Sequence, residues 1–78
     1  MKLEKAFGNV LRKSRKSKLL SQEELAHLAQ VDRTYISMLE RGLRNPTIVT
    51  VFSVANALDT TPDKLILETE KEYKRNMT

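Results

Sequence analysis

Apolar residues recur at every third or fourth position along most of the chain, the spacing that lines one side of a helix. Leu3, Phe7, Val10 and Leu11 make the first stripe and predict a helix over about residues 2 to 17. Leu25, Ala26, Leu28 and Ala29 make a shorter one, over 22 to 29. Ile36 and Leu39 mark a third helix over 33 to 41. Ile48, Val51, Phe52, Ala55 and Leu58 fall on one face of a fourth, over 48 to 58. Leu65, Ile66 and Leu67 belong to a fifth, which starts at 62. The expected fold class is all-α, a compact five-helix domain.

The residues between the stripes say where each helix begins. Ser21 can accept from the amide of Glu24 while Glu24 reaches back to the amide of Ser21, a capping box. Leu20 and Leu25 flank it at the spacing of a hydrophobic staple. Asp32 is a second N-cap residue, set between Val31 and Ile36 at that same spacing. Thr47 and Thr61 are the expected caps of the fourth and fifth helices. Pro62 takes the first helical position, where a missing amide is harmless. Gly42 ends the third helix.

The second and third helices therefore start close together, with only a turn between them. Ala26 is small where the two would cross. On a helical wheel Arg33, Thr34, Ser37, Met38 and Arg41 fall together on the outer face of the third helix. Apart from Met38 these side chains are hydrogen-bond donors with little reason to be packed. A short helix pair whose second member carries donors outward from its first turn fits the major groove of DNA.

The runs LSQEELA, VDRTYISMLERG and RNPT resemble the lambda-repressor/Cro-like helix-turn-helix family of bacterial and phage regulators. DRTYIS, followed by ER and RN, is similar to the controller proteins of restriction–modification systems. One departure is Gln30, where the turn of this family often carries glycine; a positive φ there costs about 1 kcal/mol. The resemblance covers about residues 6 to 67; a helix-turn-helix domain is expected over residues 1–67, and the highly charged 68–78 as an extension of the last helix or a tail. It implies a sequence-specific transcriptional regulator that binds double-stranded DNA as a homodimer on a pseudo-palindromic operator, and is repressor or activator. It also implies phosphate contacts for Ser21, Gln22, Arg44 and Asn45, and an ion pair between Arg15 and Glu40.

The residues themselves support part of that assignment. Arg33 opens the third helix, where its fork can meet guanine O6 and N7 or, alternatively, a phosphate. Thr34 and Ser37 are further candidates for base contact. Tyr35 lies nearer the core side, and either packs with its hydroxyl at the rim or joins the base readers. Arg41 is placed for the DNA backbone, as are Arg44 and Asn45 after the helix. Glu40 stands at the edge of the core face, where a cationic partner fits. Leu65, Ile66 and Leu67 are consecutive, so at least one points away from the core. With Val49 and Val54, off the main stripe of the fourth helix, they are the expected dimer interface.

Charge sharpens the picture. Residues 1–20 hold seven basic residues and one acidic, a local balance of +6 within a net +4 for the 78 residues. Such asymmetry points to an anionic partner. A membrane surface fits poorly, because the first helix already spends its apolar face on the core. There is no cysteine, so neither a disulfide framework nor a thiolate metal site is expected. His27 stands alone and is expected to face solvent. No recognisable nucleophile–base set or carboxylate pair points to an enzyme, and no cofactor, metal or small-molecule substrate is expected. Nothing reads as a signal peptide or membrane span, which leaves the cytoplasm as the expected compartment. Two other readings stay open: the DNA-binding domain of a longer phage-type repressor, and a helical module that binds another protein.

Overall fold

Five helices follow one another through residues 1–76, the part of the chain that the computed structural model describes: α1 Leu3–Ser17, α2 Gln22–Ala29, α3 Arg33–Glu40, α4 Ile48–Ala57 and α5 Pro62–Arg75. The caps explain most of these starts. The capping box at Ser21 and Glu24 is formed, Asp32 accepts from the amide of Thr34, and Thr47 accepts from the amide of Thr50. Thr61 departs from expectation. It holds the N-cap position of α5 but makes no side-chain cap bond. Its side chain instead hydrogen-bonds Asp63, which holds that carboxyl below the ordinary aspartate range.

The turn between α2 and α3 closes at Gln30, which adopts φ 59° and ψ 42°. The left-handed residue lets the amide of Val31 reach the carbonyl of Ala26 at 3.0 Å, so α2 stops and the chain swings into α3.

One core joins all five helices. Phe7, Val10 and Leu11 of α1 meet Leu25, Ala26 and Ala29 of α2, Ile36 and Leu39 of α3, and Val51, Val54, Ala55 and Leu58 at α4. Leu65 of α5 completes the cluster.

Two expectations about α4 are corrected here. Ile48 and Phe52 do not line the core but stand 69% and 57% exposed, whereas Val54 is 0% exposed. The helix is apolar on nearly every side, so several stripes fit its sequence equally well, and packing selects the one through Val51, Val54, Ala55 and Leu58. Val54 and Leu65, the latter 3% exposed, are core residues and cannot belong to a dimer interface. Leu3 and Leu28, also expected inside, are exposed as well.

The segment after residue 67 continues α5 to Arg75 and packs along α1. Thr69 is buried and donates to the carbonyl of Leu65 at 2.8 Å. Glu72 is buried too, accepting from Asn9 Nδ2 at 3.1 Å and pairing with Lys13 and Arg75. The Asn9 bond, with the charges of Arg75 and Lys13, holds the Glu72 carboxyl below the ordinary glutamate range.

Candidate nucleic-acid interface

At the start of α2, Ser21 Oγ accepts from the amide of Glu24 at 3.0 Å, and Glu24 Oε1 accepts from the amide of Ser21 at 2.8 Å. The bond from the Ser21 backbone, then that with its side chain, lowers the Glu24 pKa. Ser21 is exposed, at a helix end whose orphan amides and dipole favour an anion.

Gln22 is used differently from a free surface amide. Its Nε2 donates to Glu40 Oε1 at 3.1 Å. That same carboxylate receives Arg15 Nε at 2.6 Å and Arg15 Nη2 at 3.0 Å. Arg15 Nη1 donates onward to the carbonyl of Leu20 at 2.8 Å. Arg15 and Glu40 are 8% and 5% exposed, so the pair is buried. The hydrogen bonds to Glu40 raise the Arg15 pKa above the ordinary arginine value although burial works against the charge. One carboxylate thus joins α1, α2 and α3.

The third helix is two-sided. Ile36 and Leu39 are fully buried, Arg33 and Thr34 are exposed, and Ser37 and Met38 are half-buried. Asp32 Oδ1 accepts from the amide of Thr34 at 2.9 Å and so fixes the first turn, where Arg33 stands. Tyr35 is half-buried against the core, with its Oη 3.2 Å from Thr50 Oγ1. Thr50 in turn meets Thr47 Oγ1 at 3.0 Å. The Arg44 guanidinium lies over the Tyr35 ring, 5.6 Å from its centre, where the negative face of the ring attracts it. Arg41 and Arg44 are exposed at and just beyond the end of α3, with Asn45 beside them. Arg33, Arg41 and Arg44 make no ion pair among the described residues, so this side of α3 keeps its positive charge.

Away from this surface, Val49, Ile66 and Leu67 are exposed. Ile48 and Phe52, which the sequence pattern had placed inside, extend the exposed apolar face of α4 beside Val49. A groove lined by Leu3, Phe7, Pro46, Val51, Ile66 and Tyr73 runs between α1, α5 and the loop before α4. Leu67 points off that groove, one residue round α5 from Ile66. His27 is exposed. Among the described residues no group of three or more His, Cys, Asp or Glu is placed to hold a metal ion, and no helix is long and apolar enough to cross a membrane.

Sequence reasoning passed over Gly8, although a lone glycine inside a helical stripe is a signal of close approach. A Cβ at Gly8 would lie 2.4 Å from the Leu39 carbonyl oxygen and 2.7 Å from that of Glu40. It also passed over the Asn9–Glu72 contact, for which a lone asparagine and glutamate 63 residues apart give no signal.

Comparison with known proteins places these features in context. The helix-turn-helix family model matches residues 11–65. The control protein C.MunI of a Mycoplasma species is 43% identical over 67 residues, which is 85% of this chain and 90% of that protein. The crystal structure of the restriction-modification controller protein C.AhdI from Aeromonas hydrophila is similar with a TM-score of 0.78 at 45% identity, over 80% of this chain and 94% of that one. The controller protein C.Esp1396I, solved as a tetramer in complex with its natural 35 base-pair operator, gives a TM-score of 0.83 at 33% identity, over 92% of this chain and 95% of that one.

Proposed function

Because the chain belongs to the helix-turn-helix family, we propose that it is a sequence-specific regulator of transcription of the restriction–modification controller type, acting in the cytoplasm as a homodimer on a pseudo-palindromic operator. The observation that carries this is the two-sided α3: its inner face is core, while Arg33, Thr34 and Ser37 lie on the opposite face. In this reading α3 enters the major groove, and Arg33, Thr34 and Ser37 read base edges. Ser21, Arg41, Arg44 and Asn45 hold phosphates on either side. Gln22 gives one N–H of its side-chain amide to Glu40 and has a second to offer a phosphate at the helix start. Tyr35 serves as the platform that holds Arg44, its hydroxyl being engaged by Thr50. No catalytic role is assigned.

The second subunit follows from the exposed apolar residues. Ile48, Val49, Phe52, Ile66 and Leu3 are too many to leave in water on so small a domain. Burying two or three of them per subunit is worth roughly 1.5–3 kcal/mol each, enough to offset association entropy. Dimeric symmetry then sets two recognition helices about 34 Å apart, one turn of duplex. The operator of C.Esp1396I, bound by a tetramer, supports assembly on DNA as part of this reading.

The test compares two arginines after the operator has been selected from random duplexes. Arg33→Ala should lose about 1–3 kcal/mol on the selected site and far less on random duplex. Arg44→Ala should weaken both alike. Equal weakening by Arg33→Ala on both kinds of site rules out base reading by Arg33.

A further inference from the structure

The recognition surface leaves much of the positive charge unused. Along α5 three of the four cations are answered locally: Lys71 by Glu68 at 3.6 Å, Lys74 by Glu70 at 3.4 Å, and Arg75 by Glu72, while Lys64 stands apart near the start of the helix. On α1 the pattern differs. Lys13 reaches Glu72 at 3.6 Å and Arg15 is held by Glu40. Lys5, Arg12 and Lys16 are exposed and have no ion-pair partner among the described residues. Their spacing, seven and then four residues, puts all three on one edge of the helix.

That edge has a fixed place relative to α3. Gly8 lies between Lys5 and Arg12 on the strip of α1 that touches α3, with no room for a Cβ against the carbonyl oxygens of Leu39 and Glu40. Gly42, just past α3, lies against Lys5: a Cβ there would sit 2.9 Å from the Lys5 Cα. Backbone therefore meets backbone at both points, and α1 cannot slide along α3 without a clash. At Lys5 the cationic edge borders the end of α3 and the loop that carries Arg41, Arg44 and Asn45, and from there it runs along α1 through Arg12 to Lys16.

We propose that Lys5, Arg12 and Lys16 form a second phosphate-binding edge, which engages the DNA backbone flanking the base pairs beneath α3. The proposal rests on the DNA-binding reading above. Duplex DNA carries one negative charge per about 1.7 Å of its axis, so a basic edge continuous with a phosphate-holding loop meets further phosphates beyond it. The edge carries no information about sequence. It strengthens binding to every duplex by the release of condensed counterions, and its rigid register to α3 fixes how far outside each half-site it acts.

The probe is a mixed-sequence duplex of about 40 base pairs, roughly four helical turns. Its affinity is measured against salt for the full chain, for Lys5→Gln/Arg12→Gln/Lys16→Gln, and for a control, Lys64→Gln/Lys71→Gln/Lys74→Gln. Both triple variants remove the same charge. The α1 variant should lower the slope of log affinity against log salt by about 0.9 for each phosphate that is no longer neutralised, up to about 2.7 per subunit, while the control changes it by less than about 0.5. Thermal unfolding verifies that each variant is folded, and Arg12→Gln alone, with a fall of about 0.9, serves if the triple variant is not. Equal slope changes in the α1 and α5 variants overturn the proposal, since the effect would then be net charge alone. A wild-type chain that does not bind the duplex at all overturns the DNA-binding reading beneath it.

Discussion

Glu40→Ala tests whether one buried carboxylate holds three helices together. The substitution removes the acceptor of two bonds from Arg15 and one from Gln22, at 2.6, 3.0 and 3.1 Å. It leaves the Arg15 guanidinium without its counter-charge on a side chain only 10% exposed. Breaking a buried pair from one side costs about 3–5 kcal/mol, whereas an exposed pair is worth no more than about 1 kcal/mol. Set against a total stability of roughly 5–15 kcal/mol, the loss is large. At about 4–8 °C per kcal/mol for a domain of this size, the melting temperature should fall by at least about 12 °C. Thermal and urea unfolding of Glu40→Ala, Arg15→Ala and the double variant complete the cycle. The double variant strands no charge, so it should lose less than the two single losses together, with a coupling of about 1–3 kcal/mol. Arg15→Met/Glu40→Leu, which refills the space with apolar groups, should recover most of the loss. A Glu40→Ala loss below about 1 kcal/mol, or a purely additive cycle, would refute the reasoning.

Other outcomes follow from single contacts. Gly8→Ala gains about 1 kcal/mol of helix propensity but forces a methyl into two backbone carbonyls, so a net loss of about 1–2 kcal/mol is expected; a raised melting temperature would contradict the close approach. Gln30→Gly should stabilise by about 0.5–1 kcal/mol because glycine adopts the observed left-handed φ without strain, and an unchanged or lower urea midpoint would count against that. Glu72 has a folded pKa below its unfolded one, so the stability it adds is present above about pH 4.3 and is lost as pH falls through the folded value. Glu72→Gln should therefore be less stable at neutral pH and show a shallower acid decline below about pH 4.3, measured by melting at stepped pH; an acid limb as steep as wild type excludes Glu72 as a contributor.

What the sequence made legible was mostly local. Ser21, Glu24, Asp32 and Thr47 lie within three residues of the amides they satisfy, so their spacing alone locates three helix starts. The outer face of α3 was legible for a similar reason, because only Ile36 and Leu39 compete for its inner side. The phase of α4 was not. Ile48, Val49, Val51, Phe52 and Val54 are all apolar, and only the neighbouring helices decide that Val54 is core and Phe52 is not. Leu65 and Ile66 pose the same problem: both are aliphatic, and α5 rotates the first inward and the second out. Thr61 misled because a good capping residue can bond a nearby carboxylate instead of an amide, as it does with Asp63. Glu72 lay beyond any local rule, since Asn9 and Lys13, two of its partners, are on the first helix.

That last contact bears on how the chain matures during synthesis. Asn9 and Glu72 are 63 residues apart. At about 5–20 residues per second, roughly 3–13 s separate their appearance from the ribosome. A small helical domain folds in microseconds to milliseconds once its parts are present, so translation sets the pace. For those seconds α1 exists without the helix that covers its flank, an amphipathic, cationic segment with Phe7, Val10 and Leu11 still seeking neighbours. The nascent chain is therefore most open to chaperones, proteases and stray polyanions before α5 arrives, and the closing step of the fold waits on the synthesis of α5.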